Sequence, residues 1–221
     1  MIDAGREFNV IYVDANLLVL TKPAGLLAVP GKGEEKQDCL SRRVQQSFPG
    51  ALIVHRLDMA TSGLMLMALD PTTQVMLSKL FETRKIQKRY IAVVEGCVSS
   101  ASAATADAVW HLIDLPIALD WPNRPLRFIH ADGKPSQTRW RALGYDLEAN
   151  NTRLELEPIT GRSHQLRVHL KALGHPILGD ALYAPADIAA KSSRLLLHAC
   201  ELKFTLPKSG KEMIFENPPQ F

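Results

Sequence analysis

The stretch His55-Arg56-Leu57-Asp58-Met59-Ala60-Thr61-Ser62-Gly63 has residue types and spacing suited to covalent or proton-transfer chemistry. A single carboxylate, Asp58, stands two residues after a cation, Arg56, and just before a small hydroxyl- and glycine-containing turn. The apolar run Leu64–Leu69 follows at once. A carboxylate on a turn that feeds a buried strand is held in place yet open to a ligand, which suits an acid, a base or a nucleophile. An isolated Asp near an Arg would read as an ordinary surface turn. The whole nine-residue pattern, taken with a second string downstream, favours catalysis.

That second string is Ile159-Thr160-Gly161-Arg162-Ser163-His164-Gln165-Leu166-Arg167-Val168-His169. Thr160-Gly161 makes a turn into a helix, and Arg162 stands at the entrance, where backbone N–H groups are also unspent. A guanidinium there is suited to pairing with a carboxylate and keeping it ionised. A third string, Lys88-Arg89-Tyr90-Ile91-Ala92, puts a phenol on a strand. Metal binding by His164, His169, His175 and Asp180 is not expected. Residues five apart on a helix lie roughly 140° apart around its axis, and no H-E-x-x-H or cysteine pair accompanies them. Walker, dinucleotide-binding and G-x-S-x-G patterns are also missing from the sequence. The chemistry is therefore expected to need no cofactor. A lone activated aspartate among basic and aromatic residues fits reaction at a sugar or base carbon of a nucleic acid.

Positioning these groups takes a particular set of elements. Two strands, Val10–Val13 and Leu17–Leu20, are expected around an Asp14-Ala15-Asn16 turn. Asp38 is expected to cap a helix that carries Leu40, Val44 and Phe48, and Ala51–Val54 reads as strand. Leu64–Leu69 should be a buried strand. Asp70-Pro71 then starts a helix with an N-cap followed by Pro at N1, and Met76, Leu77, Leu80 and Phe81 line one side of it. Lys88–Glu95 alternates as a strand. Ser99–Ala108, nearly all Ala, Ser and Thr, reads as a solvent-facing connection, and Trp110–Pro125 reads as irregular. Ser136–Tyr145 and Thr152–Pro158 alternate like antiparallel strands. Ser163 is expected to cap a helix from His164 to Leu173, closed by Gly174. Leu195–Leu202 and Met213–Phe215 complete the strands. The expectation is an α+β protein in one domain, built on a large mixed, mainly antiparallel sheet flanked by helices.

The 221 residues suffice for one sizeable core or two small ones. A hydrophobic fraction of 46% and a charged fraction of 22% are ordinary for a globular chain. The net charge of +3 permits a polyanionic partner without demanding one. Three widely spaced cysteines, Cys39, Cys97 and Cys200, suggest a reducing compartment and a packing role. The first residues carry no signal pattern, and no apolar run approaches the ~20 residues that span a bilayer. The expected location is the cytoplasm, and the expected state a monomer, because no apolar seam is evident.

Together the three strings resemble the RluA family of pseudouridine synthases. The HRLDxxTSG signature matches residues 55–63, GRxHQLR matches residues 161–167, and K-x-Y-x-A matches Lys88, Tyr90 and Ala92. Arg194-Leu195-Leu196-Leu197-His198-Ala199 resembles the late apolar strand of the family, and the similarity runs from about Val10 to Phe221. Asp114-Leu115-Pro116, Asp120-Trp121-Pro122-Asn123-Arg124-Pro125 and Gly133-Lys134-Pro135 resemble the members that lack an S4 domain. Those members modify a uridine of 23S rRNA and one in a tRNA anticodon stem-loop. The Ser99–Ala108 stretch departs from their pattern, which concerns the shape of one peripheral loop.

The resemblance implies isomerisation of uridine to pseudouridine over residues 1–221 as one catalytic domain. Asp58 matches the catalytic aspartate, acting either as nucleophile at C1′ or as base at the 2′ carbon. Tyr90 matches the active-site tyrosine, which stacks on the base and is a candidate to take the C5 proton. Arg162 matches the basic partner of the aspartate, and Leu197 or a neighbour supplies an apolar floor. A uridine in a stacked helix must be flipped out, and Arg56 is placed to fill the gap with its planar guanidinium. His55, Thr61, His164, Gln165, Arg167, Lys88 and Arg124 are the further expected RNA contacts. Lys85 and Arg127 are added as candidates to grip phosphates, with binding that weakens in salt. The expected partners are structured RNAs, namely 23S rRNA and tRNA stem-loops, with no metal and no membrane. Two other classes remain open at this point. A nucleoside or glycoside hydrolase would want a second carboxylate, for which Asp70 and Glu82 are the nearest following candidates. A non-catalytic RNA-binding protein would not need Asp58, Tyr90 and Arg162 intact.

Overall fold

The structure, a computed structural model, describes residues 8–98, 109–207 and 209–221. The Ser99–Ala108 stretch lies outside the described residues. In chain order the strands are β1 (Asn9–Val13), β2 (Leu17–Lys22), β3 (Leu52–Ile53), β4 (Ser62–Ala68), β5 (Gln87–Glu95), β6 (His111–Asp114), β7 (Ile117–Leu119), β8 (Arg127–Ile129), β9 (Gln137–Asp146), β10 (Asn151–Pro158), β11 (Leu197–Thr205) and β12 (Glu212–Glu216). The α-helices are α1 (Leu40–Ser47), α2 (Pro71–Glu82), α3 (Gln165–Ala172) and α4 (Ala186–Ala189). They fall into two compact units. One takes the chain up to Gln87 together with His198–Gln220, and the other takes Lys88–Leu197 and Phe221.

In the first unit the strands run in the order β1-β2-β4-β11, with β12 beside β11 and β3 beside β4. The pairings are antiparallel except that of β4 with β11, which is parallel and sets Ser62 against His198 and Gly63 against Ala199. The sheet is therefore mixed but mainly antiparallel, as expected. The β1–β2 turn forms because the Asp14 carboxylate accepts the N–H groups of Asn16 and Leu17. The run of apolar residues in β4 has its physical reason here, since every one of them is buried. One side packs Leu64, Leu66 and Ala68 with Leu77 and Leu80 of α2 and with Phe204 and Phe215. Asp70 caps α2 at the Thr73 N–H, 2.9 Å away, with Pro71 next in the chain. Hydrogen bonds from the Thr73 side chain and backbone hold the Asp70 carboxyl down at about 2. The other helix start differs from expectation. Cys39, not Asp38, is the N-cap of α1, because both Asp38 oxygens are taken by the Arg43 guanidinium.

In the second unit β5-β10-β9-β6 run antiparallel, and β7 and β8 form a separate hairpin. Leu156 of β10 stands between Tyr90 of β5 and Trp140 of β9. Trp110–Pro125 is more regular than its Pro and Trp content suggested, because β6 finds its partner in β9 and β7 in β8. The short helix α4, which follows Pro185, had no periodic signal long enough to be read. Helix α3 begins one residue later than expected, and Ser163 does not cap it. His164 occupies the cap in the left-handed region, φ 58°. The Gln165 carboxamide instead fastens the turn ahead of the helix, as its Oε1 accepts the Arg162 N–H at 3.0 Å and the Thr160 hydroxyl at 2.7 Å.

His169 ties α3 to the chain ahead of β7. Its ring is fully buried, Nε2–H donates to the Leu115 carbonyl at 3.0 Å, and Nδ1 meets the Thr138 hydroxyl at 2.9 Å. Burial pulls its pKa below the ordinary imidazole value. The neutral ring is thus the folded form, and the unfolded chain takes the proton more readily. The stability contributed by this ring is complete above the ordinary value of about 6.5 and is lost as pH falls through the lower folded value. Urea titrations at about pH 7.5 and about pH 5 are expected to show a larger loss for the parent than for His169→Asn, whose amide does not titrate. Equal losses would assign the acid sensitivity elsewhere.

Candidate active site

The Asp58 turn leaves β3 and enters β4 in the first unit. The Thr61 N–H donates to the Asp58 carbonyl at 3.1 Å, which closes the turn, and buried Leu57 anchors it from below. A lysine tightens it from the side. Lys22 is 1% exposed, and its ammonium donates to the carbonyls of Pro23, Leu26 and Met59 at 2.8, 2.7 and 2.9 Å. The Gly25 N–H also donates to the Met59 carbonyl, at 2.9 Å. No catalytic pattern in the sequence marked Lys22 for this role.

The rest of the motif is spent on structure. His55 was expected at the RNA, yet its Nε2 accepts the Leu66 N–H at 2.9 Å and its ring stacks on Phe81 with centroids 4.3 Å apart. Thr61, also expected at the RNA, is only 3% exposed. The Ser62 hydroxyl meets His198 Nδ1 at 2.8 Å, and His198 Nε2 lies 2.9 Å from the Asn217 side-chain oxygen. Gly63 has φ 118°, and a Cβ there would stand 2.3 Å from the Ala199 carbonyl oxygen, so the close parallel pairing with β11 admits only glycine. Asp58 is the exception. Its carboxylate is half-buried, and among the described residues of its own unit no hydrogen bond or ion pair engages it. Arg56 is exposed beside it.

The second unit brings the other two strings together. Lys88 and Tyr90 lie on β5, both half-buried, and Tyr90 pairs with Leu156, two residues ahead of the β10 end. The Lys88 ammonium reaches to 3.9 Å from where a Cβ of Gly161 would sit. Arg162 follows directly, with its Nε donating to the Pro135 carbonyl at 3.3 Å. Downstream, the expected RNA contacts turn inward. Gln165 is 3% exposed, and its Nε2 donates to the Gln137 carbonyl and the Thr138 hydroxyl. Arg167 is 4% exposed and grips buried Asp180 through two nitrogens, with Nε 2.8 Å from Oδ2. His164 Nδ1 meets the Tyr183 hydroxyl at 2.6 Å. These three hold the helix start in place, because a motif repeated at helical spacing necessarily sends some members into the core. Arg124 remains exposed, its guanidinium 4.6 Å over the Trp121 ring. Arg162 also borders an open cleft of about 590 Å³, which runs from the Gly161–Ser163 turn to the β7–β8 hairpin.

A family model described as RNA pseudouridylate synthase matches residues 16–172. The dual-specificity RNA pseudouridine synthase RluA of Escherichia coli K12 is 46% identical over 213 residues, covering 96% of this chain and 93% of that protein. The chain belongs to the RluA family of RNA pseudouridine synthases. The Yersinia pestis member named RluA is 45% identical and is covered over 99% of its length. Among solved structures, human RNA pseudouridylate synthase domain containing 1 superposes with a TM-score of 0.80 at 26% identity, over 98% of this chain and 85% of that one. Human RNA pseudouridylate synthase domain containing 4 gives 0.74 at 24% identity and bears on the fold alone. An RluA-family enzyme is an isomerase that converts uridine in RNA to pseudouridine, and the α+β architecture expected from the sequence is that of its structural neighbours. No described helix is long and apolar enough to cross a membrane.

Proposed function

We propose that this enzyme isomerises a uridine of 23S rRNA and a uridine in a tRNA anticodon stem-loop, with residues 1–221 acting as one catalytic domain and no cofactor. The dual-specificity name of its relatives supports the two RNA classes. The observation that carries the assignment of Asp58 is one of contrast. Around it His55, Thr61, Ser62 and Gly63 are committed to holding the turn, whereas the Asp58 carboxylate is uncommitted within its unit.

In this reading the target nucleotide is flipped out of its loop, where unstacking costs least, and Arg56 takes the vacated place in the stack. Asp58 either attacks C1′ or removes a proton from the 2′ carbon, and the C1′–N1 bond breaks. The uracil turns, and C5 joins C1′ as the Asp58–C1′ bond breaks or, in the second route, as the proton is returned to the 2′ carbon. Tyr90 stacks on the base and receives the C5 proton, while N1 ends protonated, so the RNA keeps its mass. Arg162 is assigned as the basic partner of the aspartate, the role its family match implies. Lys88, Arg124 and Arg127 are assigned to phosphates.

Mapping pseudouridine in rRNA and tRNA from a strain lacking the gene, against its parent, tests the substrate assignment. One site is expected to disappear from 23S rRNA and one from an anticodon stem-loop. Loss from one class alone would reject dual specificity, and release of free uracil by the purified enzyme would replace isomerisation with hydrolysis.

A further inference from the structure

We propose that the cleft between the β7–β8 hairpin and the Gly161–Ser163 turn is a second nucleotide subsite, holding one unpaired nucleotide of the substrate RNA other than the target uridine. The phosphate lies between Arg127 and Lys134, and the base lies on the indole of Trp121. The cleft volume of about 590 Å³ falls within the range of small-ligand sites, about 300–1,000 Å³. Its charged lining is Arg127, Lys134 and Arg162 against the single carboxylate of Asp132, which favours a polyanion.

Two features point to a ligand rather than to a solvated groove. Arg127 Nε is buried and has no hydrogen-bond partner among the described residues, although the Arg127 backbone N–H is held by the Tyr183 hydroxyl at 3.0 Å. A buried donor left open is costly, and the same side chain lines the cleft, where a guanidinium takes a phosphate in a charge-assisted bond. Trp121 is 65% exposed even with the Arg124 guanidinium over its ring. A large indole left in water beside cations is a stacking platform for a base of any sequence.

The floor is also preorganised. Ile117 and Lys134 exchange backbone hydrogen bonds in both directions, at 3.0 and 2.9 Å. Gly133 sits so close that a Cβ there would stand 2.6 Å from the Ile117 carbonyl carbon. A site that does not reorganise loses little affinity on binding.

The proposal rests on the RNA-modifying activity but on neither the role of Asp58 nor the identity of the modified RNA. The test therefore uses RNA from a strain lacking the gene, labelled with tritium at uridine C5, and counts tritium released to water. Trp121→Ala is expected to raise KM about tenfold with kcat within about twofold, and Trp121→Phe, which keeps a stacking face, is expected to restore most of the loss. Lys134→Met is expected to lower the slope of log KM against log salt by about one. Both side chains are exposed, so the variants fold. Unchanged KM in Trp121→Ala would overturn the subsite, and so would equal loss in the Ala and Phe variants. If the cleft serves a protein instead, the purified variants will act on purified RNA like the parent. Should Asp58 be misassigned, Asp58→Asn will stay active while the Trp121 effect persists.

Discussion

Asp58→Asn is expected to reduce pseudouridine formation by at least about a thousandfold while RNA affinity changes only a few-fold. The amide is nearly the same size as the carboxylate, and the turn does not depend on that side chain. Closure comes from the Thr61 N–H on the Asp58 carbonyl and from Lys22 on the Met59 carbonyl. What is lost is the charge that makes the group a nucleophile or a base. Tritium release and filter binding on the same preparation separate the two effects. Full activity in the variant would end the assignment of Asp58, and lost activity with equally lost binding would make it a substrate-holding residue.

The largest effect on stability is expected at Arg167. Arg167→Met leaves Asp180, 1% exposed, without its counter-charge. Breaking a buried pair from one side costs about 3–5 kcal/mol, a large part of the ~5–15 kcal/mol available to a folded domain. Asp180 cannot simply be released, because its Oδ1 also accepts the Leu182 and Tyr183 N–H groups, at 3.0 and 3.1 Å. Those bonds shape the segment carrying Tyr183, whose hydroxyl meets His164 and the Arg127 N–H. Urea unfolding of the variant should show the loss at neutral pH. A loss under about 1 kcal/mol would place the pair among surface-like bridges.

Much of this architecture was legible because short-range physics fixes it. The Asp14 turn, the Asp70-Pro71 helix start and the unbroken apolar run of β4 each depend on neighbours within a few residues, and each appears where the sequence put it. Misplaced elements depend on which of several partners a residue takes. Asp38 looked like a cap until Arg43 claimed it, and β6 and β7 needed β9 and β8 to become strands. The site was legible in a similar, partial way. The strings supplied the candidates, but the sequence could not divide each string into side chains left open and side chains that fasten the backbone. His55, Thr61, Gln165 and Arg167 proved to be fasteners. Lys22, at the end of β2, and His198, on β11, hold the Asp58 turn from far away in the chain.

The pairing of β4 with β11 also has a consequence for synthesis on the ribosome. Ser62 and His198 are separated by 136 positions, and Gly63 rests against Ala199. Contacts so remote in sequence form late, after the intervening loop entropy has been overcome. A nascent chain therefore has its Asp58 turn closed by Thr61 and Lys22 but lacks the β11 support of Ser62 and Gly63 until residues through Asn217 have emerged from the exit tunnel.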